Sequence, residues 1–250
     1  MLPDHMFREM PEKTVSINLV YRTVGVVLVS VFAAAAGAAE MAKETRVVSD
    51  FDRVVLRAVG DLTIEQGEEE KLVVEAEKNV LPKLASQVRS GVLYLDVTPG
   101  KLSTEYPIRY YLTVKRLSRI ASEGSGQVSA GKLTVPSLEL ELSGSGSVSV
   151  TSITAKDLTV KLGGSADVNI AGGTVTTQRI SIDGAGDYAA PRLESAHAAV
   201  SIDGSGDVVL NARDTLSVEI NGSGDVHYHG NPALSRAIAG AGSVTRASAL

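Results

Sequence analysis

A short turn motif recurs along the C-terminal half of this 250-residue chain at nearly constant spacing, and that spacing constrains the fold more than any other feature. The motif is a G-x-G tripeptide, or a near variant, flanked by apolar residues. Its copies start at Gly124, Gly144, Gly164, Gly184, Gly204, Gly222 and Gly240, at intervals of 20, 20, 20, 20, 18 and 18 residues. A fixed period of this length is the signature of a solenoid, in which each repeat forms one coil. Between turns the apolar residues alternate. Leu138, Leu140 and Leu142 precede one turn and Val148 and Val150 follow it; Val200 and Ile202 precede another. Period-two alternation places one face of a strand inside. Each coil therefore holds at least two short strands joined by a glycine corner. The structural turn glycines are Gly124, Gly126, Gly144, Gly146, Gly164, Gly184, Gly186, Gly204, Gly206, Gly222, Gly224, Gly240 and Gly242.

One coil has no partner for its apolar face, so the coils must stack. Stacking at the strand spacing of about 4.8 Å gives a thin continuous core of Val, Ile and Leu. Such a core suits a chain with no Trp and three Phe. Parallel crossovers are overwhelmingly right-handed. The expected fold is an all-β, single-domain right-handed parallel β-helix with 18–20 residues per coil.

The stretch 46–120 reads as an irregular start to the same structure. Strands are expected at Val54–Val59, Leu62–Gln66, Leu72–Glu77, Val92–Val97 and Ile108–Lys115. One short helix is expected at Val80–Arg89, with Pro82 near its start, Gly91 after its end, and Leu81, Leu84 and Val88 on one face. It would cap the open end of the solenoid.

Residues 1–39 read as an address. Val24–Ala39 carry no charge, Arg22 lies just before them, and Ala36 and Ala38 have the A-x-A spacing of a cleavage site. The stretch is short for a bilayer-spanning helix, which needs about 20 apolar residues. A secretory signal and a retained N-terminal membrane anchor both remain open. Residues 40–250 are the expected solenoid domain, exported to the periplasm, outer envelope or cell surface.

Several motifs bring the chain close to a known family. FDRVVLRAVGDLTI, starting at Phe51, NVLPKLASQVRSGVLYL, starting at Asn79, and RIASEGSGQV, starting at Arg119, lead into the serial GSG turns. HYHGNP follows, with Tyr228, Gly230 and Pro232 in place. Over Phe51 to Val244 the chain resembles the putative auto-transporter adhesin, head GIN domain family, a domain of unknown function. The resemblance implies a β-helical protein of the cell envelope or surface.

The chemistry-bearing residues support binding more than catalysis. Asp167, Asp187, Asp207 and Asp225 each follow a turn, while Asp183, Asp203 and Asn221 each precede one. Stacked on neighbouring coils they form two ladders. They either face solvent and accept turn N–H groups, or hold calcium, which takes six to eight oxygen ligands. The calcium candidates are Asp183, Asp187, Asp203, Asp207 and Asp225, and no other cofactor is expected. His227 and His229 share a strand face with Asp225 nearby, and His197 lies in another coil, which leaves a metal site short of ligands. Carboxylate pairs such as Asp203 and Asp207 repeat from coil to coil, whereas a catalytic pair is singular and sits in a cleft.

A net charge of −5 with no run of basic residues disfavours nucleic acid as a partner. There are no cysteines, so disulfides and thiol chemistry are excluded. The leading expectation is a non-catalytic binding or adhesion-type module for a protein or glycan partner at the envelope. One alternative is a structural scaffold that self-associates end to end through its last coil, which lacks an evident polar cap. Another is a polysaccharide-active β-helical enzyme using the few tyrosines as stacking rings.

Overall fold

The computed structural model describes residues 26–30 and 40–248. Apart from β1 (Val26–Ser30), which pairs antiparallel with β2 (Met41–Arg46), the expected leader at 1–39 lies outside the described residues. Among the described residues no helix is long and apolar enough to cross a membrane.

The chain forms a β-solenoid of about six turns. An irregular start comprises β3 (Arg53–Leu56), β4 (Asp61–Gln66), β5 (Lys71–Glu77), β6 (Leu84–Arg89), β7 (Val92–Val97) and β8 (Arg109–Val114). The coils continue through β9 (Arg119–Ser122), β10 (Gln127–Thr134), β11 (Ser137–Gly144), β12 (Ser147–Gly164), β13 (Asp167–Ile170) and β14 (Gly173–Gly184). They end in β15 (Tyr188–Gly204), β16 (Val208–Gly222), β17 (Val226–His229), β18 (Ala233–Gly240) and β19 (Val244–Arg246).

Two ladders result. Strands that run into the turns form a leading face, and strands that leave them form a trailing face. Within the coils all pairing is parallel, with Leu140 opposite Val160, Ile180 opposite Val200, and Val128 opposite Val148. The N-terminal start departs from this regularity: β2 with β5, β5 with β8 and β6 with β7 are antiparallel.

The interior is built from columns of equivalent residues. On the leading face one column runs Val160, Ile180, Val200, Val218 and another Leu162, Ile182, Ile202, Ile220. All eight side chains are buried. A single continuous cluster links Ala42 near one end to Val226 near the other.

Gly204 shows why the corner needs glycine. Its φ is +143°, and a Cβ there would lie 2.1 Å from the carbonyl oxygen of Gly184 one coil below. The same carbonyl accepts the Ser205 N–H at 2.8 Å. The middle residue of each turn bonds the previous coil in this way, as Ala185 does to Gly164 and Ser223 to Gly204. The corners thus stack by backbone contact, which leaves no room for a side chain. Gly124 differs. It heads the column, its φ is not left-handed, and a Cβ would meet nothing nearer than the Arg57 carbonyl at 4.0 Å.

The helix expected at Val80–Arg89 does not form. A single 3-10 turn at Leu81–Lys83 leads directly into strand β6. Ser90 and Gly91 both have positive φ, 50° and 76°, and they make the tight turn of a β6–β7 hairpin. The buried guanidinium of Arg46 fixes this segment. It donates to the carbonyls of Leu81 at 3.1 Å and Leu84 at 2.7 Å, and to the Ser86 hydroxyl at 2.8 Å.

The last coil, read from sequence as lacking an evident polar cap, carries two arginines. Arg236 stands opposite Val218 and continues its core column, and Arg246 stands opposite Tyr228. Both are exposed. Arg236 thus sets one charge among the core columns at this end, which puts like charges against end-to-end stacking of two such ends.

Candidate ligand-binding face

The Asp columns fall where the sequence placed them, and hydrogen bonds account for much of their arrangement. Each carboxylate after a turn accepts the backbone N–H of its counterpart one coil on. Asp167 Oδ1 accepts from Asp187 at 3.0 Å, Asp187 from Asp207 at 2.8 Å, and Asp207 from Asp225 at 2.8 Å. Asp225 ends the ladder, taking both the N–H and the hydroxyl of Ser243 at 2.8 Å, and these bonds hold its carboxyl below the usual range. In the column before the turns Asp183, Asp203 and Asn221 are in register, and the Asn221 amide donates to Asp203 at 3.0 Å. Among the described residues no cluster of three or more His, Asp or Glu is placed to hold a metal ion. His197 hydrogen-bonds Thr215 at 2.9 Å. His227 is exposed and His229 half-buried.

The chemically distinctive surface lies on the outer side of the leading face, near the N-terminal end. Strand pairing lays its residues out in rows across neighbouring strands. One row reads Arg89, Val92, Arg53, Arg119, Glu139, Thr159, Arg179, Ala199, Ser217. The next reads Gln87, Tyr94, Val55, Ala121, Glu141, Lys161, Ser181, Ser201, Glu219. At the N-terminal end the first row holds three arginines and a valine and the second a glutamine, a tyrosine and two apolar residues; toward the other end both are mostly small.

The N-terminal part of these rows has a floor and walls. Val55, Val92 and Ala121 form a small apolar cluster outside the main core, and Tyr94 packs against it. Arg57 lies over the Tyr94 ring at 4.8 Å from its centre, close enough for a cation–π contact. Its guanidinium makes a two-point bond to Glu123, at 2.7 and 3.3 Å, which raises its pKa further. Arg119 bonds Glu141 one coil on, and Arg53 donates to the Ser90 carbonyl. A concavity of about 530 Å³ opens here, lined among others by Arg53, Arg57, Gln87, Arg89, Tyr94 and Asp96. It combines an aromatic ring, planar donors, a carboxylate and an apolar floor. That combination fits a surface that binds by stacking and directed hydrogen bonds.

The residues that build this face are scattered in sequence. Arg57 and Glu123 are 66 residues apart, and Arg53 and Ser90 are 37 apart. The chain has no run of basic residues, yet stacking gathers Arg53, Arg57, Arg89 and Arg119 from β3, β6 and β9 or their ends. Tyr94 is one of the six tyrosines the sequence offers as stacking rings, with Tyr106, Tyr110, Tyr111, Tyr188 and Tyr228.

The sequence pattern of the family described as putative auto-transporter adhesin, head GIN domain matches residues 50–232. The chain belongs to this family. The head GIN assignment agrees with solved structures that share the fold. A putative adhesin from Bacteroides fragilis superposes with a TM-score of 0.79 at 24% identity, covering 84% of this chain and 98% of that one. A putative lipid binding protein from Parabacteroides distasonis gives 0.70 at 22% identity, covering 83% and 97%. A putative adhesin from Parabacteroides merdae gives 0.66 at 19% identity, covering 85% and 98%. No curated protein matches the chain.

Proposed function

We propose that this head GIN protein is a non-catalytic, adhesion-type binding module of the cell envelope, exported by residues 1–39, with residues 40–250 as its solenoid domain. The groove on the outer leading face holds the partner. The observation that carries this reading is the chemical asymmetry of that face. Tyr94, Arg57, Arg53 and Asp96 stand over an apolar floor at one end, while small residues such as Ser181, Ala199 and Ser201 occupy the same rows further along. The family description and the adhesin names of the Bacteroides and Parabacteroides proteins support a binding role. The carboxylates on the turns support the non-catalytic part of this reading. They recur from coil to coil and are bonded into a ladder rather than gathered in one cleft.

The partner is a protein or glycan surface that offers planar polar groups to the arginines and an apolar face to Tyr94. The test is binding of the purified protein to a panel of immobilised envelope polysaccharides and surface proteins, repeated with Tyr94→Ala and Glu219→Ala. Loss of about tenfold or more with Tyr94→Ala alone is the expected result, as for an aromatic anchor in a binding face. Equal binding by both variants would place the partner elsewhere. Protease digestion on intact cells, with sequencing of the mature N-terminus, tests export. Digestion from outside and a start near Glu40 are expected.

A further inference from the structure

Among the described residues the C-terminal end of the solenoid is an open sheet edge. Strand β18 pairs on one side with β16, from Thr215 opposite Ala233 to Gly222 opposite Gly240. All eight of its residues are exposed. No second strand is registered against it among the described residues. Two core columns also end in the open: Leu234 continues Leu216 and Ile238 continues Ile220, and they are 38% and 39% exposed. Between them, in the column that holds valine or isoleucine in the four coils before, stands Arg236. Among the described residues it has no acidic partner.

We infer that β18 accepts an added β-strand from a partner protein, and that this strand bears a carboxylate between two apolar residues at alternate positions. Three features define the occupant. The unpaired backbone of an eight-residue edge selects an extended polypeptide, whose main chain supplies the pairing. Leu234 and Ile238 select apolar side chains on the core side of that strand. Arg236 selects a carboxylate between them, which a guanidinium holds through two parallel hydrogen bonds.

A second copy of this chain does not meet these terms. Two C-terminal ends facing each other bring Arg236 against Arg236. The outer strand at the opposite end among the described residues, β6, presents Leu84, Ser86 and Val88 to the core side, none of them acidic, with Ser86 and the Leu84 carbonyl already bonded to Arg46. The inference is independent of the groove near Tyr94, which lies on the outer surface at the other end.

The test uses the purified protein and two labelled eight-residue peptides of alternating Thr and Val. One carries Glu and the other Lys at the central inward position. Fluorescence anisotropy reads affinity, and hydrogen exchange reads protection over 233–240. The Glu peptide is expected to bind at least about tenfold tighter than the Lys peptide, with slower exchange over that strand. Arg236→Glu, an exposed substitution checked by circular dichroism, is expected to reverse the preference. Equal affinity for the two peptides, a preference unchanged by Arg236→Glu, or protection confined to another strand would overturn the assignment. So would concentration-dependent dimerisation that protects 233–240 without peptide, since it would put a second copy on the edge.

Discussion

Gly124 and Gly204 open the same motif, GSG, yet the fold demands glycine at one and not at the other. At Gly204 the φ of +143° is a conformation that costs a side-chain-bearing residue about 1–3 kcal/mol. An added Cβ would sit 2.1 Å from the Gly184 carbonyl oxygen, so one coil must move more than about 1 Å from the other. That movement stretches the 2.8 Å bond from Ser205 to the same oxygen, a loss of about 1 kcal/mol. Gly204→Ala is therefore expected to destabilise the protein by about 4 kcal/mol, a large share of the 5–15 kcal/mol typical of a folded domain. At Gly124 the nearest atom to an added Cβ is 4.0 Å away and the backbone is not left-handed. Gly124→Ala is expected to stabilise by about 0.5 kcal/mol, through a smaller loss of chain entropy. Urea unfolding followed by far-ultraviolet circular dichroism reads both. With a slope of about 2 kcal/mol per molar, Gly204→Ala lowers the midpoint by about 2 M and Gly124→Ala raises it slightly. A fall of similar size in both variants would refute the stacking argument and leave the turn sequence itself as the cause.

Three further outcomes follow from other parts of the molecule. Gln178→Leu removes both donors to the Asn211 carbonyl and Ser195 and the acceptor of the Tyr188 hydroxyl; it is expected to cost about 3 kcal/mol, and Tyr188→Phe on top of it little more, as a double-mutant cycle by urea unfolding would show. The Glu77 carboxylate accepts the Tyr106 and Glu105 N–H groups and the Thr104 hydroxyl, which lower its pKa from the ordinary 4.5, so its contribution is complete above that pH and lost as pH falls through the folded value. The urea midpoint of the native protein should therefore fall more steeply below about pH 4.5 than that of Glu77→Gln. Along the turns, Asp207→Ala should lower the melting temperature while Asp207→Asn, which keeps an acceptor oxygen for Asp225 N–H, should not; millimolar calcium added to chelator-treated protein should leave the native value unchanged.

The fold was legible because a solenoid writes itself in one dimension. Each coil repeats the same steric problem, so the glycine at each corner and the alternation on each strand recur at the coil length. The N-terminal segment lacks that redundancy, and there the local pattern misleads. Leu81, Leu84 and Val88 fit one face of a helix, but Leu84, Ser86 and Val88 equally fit one face of a strand. Ser90-Gly91 fits a helix end and a hairpin turn alike. The strand wins by long-range contacts that the local sequence does not contain: pairing with β7, and Arg46 from 38 residues upstream binding the Leu84 carbonyl. The change of coil length from 20 to 18 residues leaves a different trace. It shifts the β15–β16 register between Ala189 and Glu194 and between Ser195 and His197. Nearby, Gln178 replaces leucine in the column Leu138, Leu158, and its amide satisfies the Asn211 carbonyl inside the core. A buried glutamine in an apolar column is a signal that could have located the irregular coil.

The proposed binding face was hidden for the opposite reason. Repetition makes a column visible because each member has the same chemistry, and the Asp ladder is visible in just this way. Its carboxylates are bonded to the next coil's backbone and so help hold the stack. A recognition surface on a solenoid must break the repeat, because a unique partner needs a unique arrangement. Arg53, Arg57, Arg89, Tyr94 and Arg119 occupy positions whose counterparts further along are mostly Ser, Ala, Thr or acidic residues, and they come from four separate strands. The same logic applies to Arg236, the one charged member of a column that is otherwise apolar through the preceding coils. In a chain of this kind the residues that match the period hold the fold. The places where an equivalent position changes charge, size or ring content mark where the solenoid meets something else.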